Sequence, residues 1–113
     1  MGEPAFDLSE IVELYKEDAR GMVVKMRAAL GRWAEVSQGG PARVDLRRLS
    51  HQLRGSGRTY GFRHVSRFAK ALESVILRME KGAVSADERT RKSVGDKIER
   101  LASVFFSDAK EQA

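Results

Sequence analysis

The chain has 113 residues, 42% of them hydrophobic and 33% charged, with a net charge of +5 and a pI near 9.9. That length holds one hydrophobic core without staples, and the absence of cysteine excludes disulfides, thiolate metal sites and cysteine nucleophiles. No apolar run approaches the roughly 20 residues of a membrane span, and the acidic start MGEPAFDLSE lacks the basic and apolar regions of a signal peptide. A soluble cytoplasmic protein that does not cross a membrane is therefore expected. The basic balance admits nucleic acid, an anionic membrane surface or an acidic protein as partner, and charge sign alone does not choose among them.

In chain order, the first predicted element runs over residues 8–36. Ile11, Val12, Tyr15, Ala19, Met22, Val23, Met26, Leu30 and Trp33 recur at three- and four-residue spacing, the pattern of an amphipathic helix. Asp7 or Ser9 can cap its start. The segment SQGGPA, residues 37–42, reads as a loop. A second helix is predicted over 43–59, with Leu46, Leu49 and Leu53 as its apolar stripe, and Gly61 ends it. A third covers 62–81 and carries Val65, Phe68, Ala69, Leu72, Val75, Ile76 and Met79 on one face, closing at Lys81 and Gly82. Ser85 and Glu88 have the spacing of a capping box that opens a fourth helix over 85–110, whose face is Val94, Ile98, Leu101, Ala102 and Phe105. No stretch shows the period-two alternation of a strand. The fold class predicted is all-α, an antiparallel up-and-down four-helix bundle in a single domain spanning the chain. Methionine and aromatic positions read as core filling.

The unusual stretch is SHQLRGSGRTYGF, residues 50–62, which sets one histidine among arginines and glycines. At about 100° per residue, with Leu46 at zero, Leu49 and Leu53 fall within about 60° of the buried stripe and His51 at about 140°. His51 should therefore face solvent. Arg47, Arg54 and Arg58 share its exposed side at i−4, i+3 and i+7. Gly55, at i+4, leaves a patch without side chain where another surface can come close. Interior glycine costs a helix about 0.5–1 kcal/mol relative to alanine, and Gly55 and Gly57 both carry that cost. Local conflicts of this kind collect at functional sites. The setting suits a neutral, nucleophilic imidazole whose phosphorylated form is compensated by guanidinium groups. Such a ring needs its other nitrogen held by a carboxylate or carbonyl. Glu73, at the margin of the third helix's apolar stripe, is the candidate.

HQLRGSGRTYGF resembles the signature of histidine-containing phosphotransfer domains, roughly H-x-[LI]-K-G-[SGA]-x-x-x-x-G-[AF], and RHVSRFAKALE is similar to the helix that follows it in that family. The closing Gly-Phe is most like the variant found in chemotaxis-type histidine kinases. The resemblance implies a four-helix bundle and a phosphoryl carrier, not an enzyme with its own catalytic machinery. It implies His51 as phosphoacceptor, Arg54 in the family's lysine position as charge compensation, Gly55 as partner access and Glu73 as the group orienting the ring; helical spacing adds Arg47 and Arg58 as further charge compensation, and Lys70 and Ser56 are candidate accessory residues. Lys70 stands where the chemotaxis kinases commonly carry a second histidine. The partners implied are a response-regulator receiver domain and a sensor histidine kinase, with the chain a monomer. It needs no cofactor or metal of its own, Mg²⁺ being expected on the receiver.

Two other readings carry less. GSGRTYG lacks the preceding strand and following Gly-Lys-Ser/Thr of a nucleotide-binding loop. The arginines of residues 43–58, with Arg63 and Arg67 after them, form a basic stripe of the kind that tracks a phosphate backbone. Aromatic residues do not interleave with them, so a nucleic-acid-binding or docking module stands as the alternative, not the expectation. His64 reads as a partly exposed packing residue.

Overall fold

The computed structural model of the chain describes residues 8–33 and 40–112, with side chains through 106. Among these residues lie four helices, α1 (Leu8–Trp33), α2 (Gly40–Thr59), α3 (Arg63–Glu80) and α4 (Glu88–Gln112), and no strand. Each helix packs on its two neighbours around a square: α1 on α2, α2 on α3, α3 on α4 and α4 on α1, with no diagonal pair in contact.

Pairs across the interfaces give the directions. Along α1 and α4, Arg20 meets Phe105, Arg27 meets Glu99 and Leu30 meets Gly95, so one number rises as the other falls. Arg32 with Asp45 and Tyr15 with Ser56 do the same for α1 and α2, and His51 with Glu73 and Gly57 with Ser66 for α2 and α3. The bundle is antiparallel and up-and-down, as the periodicity implies.

Three- and four-residue steps place the core. On α1 the buried positions are Tyr15, Ala19, Val23, Met26, Ala29 and Trp33, with Ile11, Val12, Met22 and Leu30 half-buried at the margin. All the predicted core residues of α2 and α4 are buried, and on α3 only Phe68 stays partly exposed. Tyr15 is the hub at one end, stacked on Tyr60 at 4.6 Å between ring centroids and touching Phe62 and Phe105. No described helix is long and apolar enough to cross a membrane.

The helix ends differ from the sequence reading at the starts of α2 and α4 and in the cap of α1, and α3 is shorter by one residue at each end. Residues 34–36 and 37–39 lie outside the described residues, as does Asp7, while Ser9 sits inside the first turn of α1. Helix α2 begins at Gly40, so Gly40–Ala42 belong to its first turn and not to a loop. Gly40 turns the chain at φ +39, and Pro41 follows where a missing N–H costs nothing and a fixed φ helps. At the start of α4 the cap is Asp87, whose carboxylate accepts the Thr90 N–H at 2.9 Å; the proposed box from Ser85 to Glu88 is not formed, and residues 85–87 precede the helix.

The turn from α2 to α3 is the one that matters for the site. Gly61 takes φ +83, its N–H reaches the Arg58 carbonyl and the Phe62 N–H reaches the Gly57 carbonyl at 2.7 Å, a Schellman closure. Gly82 closes α3 in the same way, through Met79 and Arg78. The sequence expectation for both glycines is met.

Candidate functional site

His51 lies in the middle of α2 on the side away from Leu46, Leu49 and Leu53, and its side chain is 69% exposed. Its Nδ1 is 2.8 Å from Oε2 of Glu73 on α3, whose side chain is only 9% exposed. The other Glu73 oxygen accepts from Arg54 Nη1, also at 2.8 Å. One carboxylate thus ties together an imidazole and a guanidinium that stand one turn apart on α2.

Burial alone would raise the Glu73 carboxyl, but the hydrogen bonds from Arg54 and His51, with their charges, outweigh it and hold the group below its ordinary value. An ionised carboxylate can only accept. Nδ1 is therefore the nitrogen that carries the proton, and in the neutral ring Nε2 keeps its lone pair on the open side. Among the described residues Nε2 has no hydrogen-bond partner. The arrangement fixes one tautomer of a ring that is accessible from solvent.

Beside the imidazole a cleft of about 820 Å³ opens between α2 and α3. Five cations line it, Arg54 and Arg58 from α2 with Arg63, Arg67 and Lys70 from α3, together with Gly55, Gly61 and Ser66. No acidic residue is among the lining groups. Arg58, Arg63, Arg67 and Lys70 make no ion pair with any described residue. Their charges are left to act on whatever enters, which suits an anion bearing several oxygens.

The two helical glycines next to His51 play different parts. A Cβ at Gly55 would meet nothing within 4 Å, so this residue is an open patch on the surface. A Cβ at Gly57 would lie 3.0 Å from the Ser66 backbone nitrogen and 3.2 Å from the Phe62 carbonyl oxygen. Gly57 is buried and lets α3 start hard against α2, a packing role that the sequence alone does not separate from the cost at Gly55. Ser66 Oγ adds to this seam by donating to the Arg54 carbonyl at 2.9 Å.

Of the other residues singled out, Arg58 and Lys70 line the cleft, whereas Arg47 and Ser56 do not. Arg47 Nε donates to Glu80 at 3.1 Å, a full turn towards the other end of the bundle. Ser56 Oγ donates to the Tyr15 hydroxyl at 3.1 Å on the α1 side of α2. His64 is exposed, ring-stacked with Phe68 at 6.2 Å, and stands outside the cleft. Arg63 and Arg67, read from sequence only as part of a basic stripe, are two of the cleft's five cations. Their spacing with Lys70 (i, i+4, i+7) was the available signal. Among the described residues no group of three or more His, Asp or Glu is placed to hold a metal ion.

A model of the Hpt domain family matches residues 10–104, which takes in all of α2 and α3. The chain belongs to the Hpt domain family. No curated protein and no solved structure matches it. Hpt domains are phosphocarrier modules, not catalysts, and serve histidine phosphotransfer in two-component phosphorelays, where they interact with receiver domains and kinases. The helical bundle described above is the architecture of an Hpt domain.

Proposed function

We propose that His51 is the phosphoacceptor of this Hpt domain and that it relays a phosphoryl group to or from the aspartate of a receiver. The observation that carries this reading is the exposed imidazole whose Nδ1 is held by a buried, ionised Glu73 at 2.8 Å. The Nε2 lone pair attacks phosphorus, a P–N bond forms, and the P–O bond to the aspartyl carboxylate breaks. The Nδ1 proton stays on the ring, where Glu73 offsets the positive charge that develops as Nε2 gives up its lone pair. Arg54, Arg58 and Lys70 face the phosphoryl oxygens, and Gly55 gives the receiver backbone room to settle. The reverse sequence discharges the domain, and Mg²⁺ with its acidic pocket belongs to the receiver.

Support for an acidic partner comes from the unpaired charge of the cleft, which favours association with an acidic surface. The test is phosphorylation by a phosphorylated receiver, or by a sensor kinase with ATP. The expected product is a base-stable, acid-labile phosphate that His51→Gln abolishes while the circular dichroism spectrum is unchanged. Label that persists in His51→Gln removes the assignment. Tight binding to random duplex DNA with a steep salt dependence, and no label, would favour the nucleic-acid reading.

A further inference from the structure

We propose that the cleft also takes acyl phosphates as small-molecule phosphoryl donors, so that His51 can be charged without a protein partner. The proposal rests on His51 being the phosphoacceptor, and it adds a second source of the phosphoryl group.

Lys70 carries the argument. Glu73 faces His51, and α2 and α3 run in opposite directions. One turn forward from His51 is Arg54 and one turn back from Glu73 is Lys70, so these two cations stand level on opposite walls of the cleft. Arg54 already serves Glu73, whereas Lys70 has no acidic partner among the described residues. The next level holds Arg58 and Arg67, equally unpaired. On the α2 wall, between Arg54 and Arg58, lies Gly55, with open space where a Cβ would be. A dianionic phosphoryl group seated there has cations on two sides and the Nε2 lone pair at the end.

A neutral imidazole reacts with such a dianion only when the two are held together, and preset cations supply that hold and the positioning. Nothing in the lining opposes the negative charge. The reaction balances without an oxidant or reductant. The lone pair of Nε2 forms the P–N bond, the P–O bond of the acyl phosphate breaks, and the acyl group leaves as its carboxylate. The Nδ1 proton remains on the ring, donated to Glu73.

His64 supplies the internal control. It is exposed like His51 but lies outside the cleft, and no carboxylate among the described residues holds its ring. The experiment incubates the full chain with acetyl phosphate alone and follows each histidine by intact mass and peptide mapping under alkaline conditions. We expect labelling at His51 that saturates with acetyl phosphate and runs at least about tenfold faster than at His64. Lys70→Gln with Arg67→Gln should bring the two rates within about threefold, each lost charge contributing at the level of an exposed ion pair. Equal rates at the two histidines, or a double variant that labels like the parent, would overturn the proposal. Transfer from a phosphorylated receiver is measured on the same samples. Label from the receiver but none from acetyl phosphate sinks this inference and leaves the relay reading standing; label from acetyl phosphate that no receiver accepts does the opposite.

Discussion

Glu73 accepts from His51 Nδ1 and from Arg54 Nη1 at the same distance, 2.8 Å, one carboxylate oxygen to each. A single buried side chain on α3 thereby sets the tautomer of the imidazole and the position of the nearest cation. Replacing it with glutamine keeps the volume and loses the charge. Glu73→Gln is expected to lower the phosphotransfer rate at least about tenfold, because the amide can also donate and no longer selects one ring tautomer. Single-turnover transfer checks this, with the NMR shifts of the His51 ring nitrogens reporting the tautomer directly.

The same carboxylate imposes a pH dependence on stability. Its folded value lies below the ordinary 4.5, so on acidification the unfolded chain takes up this proton before the folded chain does. Stability from this group is complete above the ordinary value and declines as pH falls through 4.5 towards the lowered folded value. Urea midpoints measured from pH 7 down to pH 3 should fall more steeply for the parent than for Glu73→Gln. Parallel curves would show that the two hydrogen bonds contribute nothing to folding.

Gly55 and Gly57, two residues apart, should respond in opposite senses. Gly57→Ala forces backbone atoms of Ser66 and Phe62 to move and is expected to cost about 1–3 kcal/mol of stability, an overpacking effect. Gly55→Ala meets nothing and should stabilise the helix by about 0.5–1 kcal/mol. Gly55→Leu should keep the fold and slow transfer to a receiver by obstructing its approach. Denaturant titration and transfer kinetics on the three variants separate packing from access.

Arg47 and Arg58 also divide. Arg47 is engaged by Glu80 away from the cleft, and Arg58 is unpaired inside it. Arg47→Gln should change the transfer rate less than about twofold, whereas Arg58→Gln should lower it about threefold to tenfold, the scale of one partly screened charge. Equal effects would mean that net charge, not position, governs the reaction.

Much of this was legible in the sequence. The stripe Leu46–Leu49–Leu53 alone turns His51 outward, since helical geometry leaves no other side for it. Glu73 could be named as its partner because it borders the apolar face of the next helix, where a side chain reaches across. What escaped needed the mutual rotation of two helices. Nothing local to Gly57 distinguishes a site of close approach from a flexible one until α3 is seen to begin against it. Arg63 and Arg67 enter the cleft only because α3 is turned to bury Val65 and Ala69. Its spacing places Arg47 on the imidazole's side, but Glu80, thirty-three residues on, attracts it elsewhere. The start of α2 is hidden for a different reason: Gly-Pro marks a break in most settings and a first turn in this one.

The Schellman turn at Gly61 has a consequence for how such a protein can vary. Because it joins α2 to α3 with only Tyr60, Gly61 and Phe62 between them, the imidazole, its carboxylate anchor and the whole cationic cleft belong to one helical hairpin. Among the described residues, α1 and α4 contribute no side chain to the cleft or to the His51–Glu73 pair. They are free to drift in sequence and acquire new neighbours, so long as their inner stripes continue to roof the hairpin.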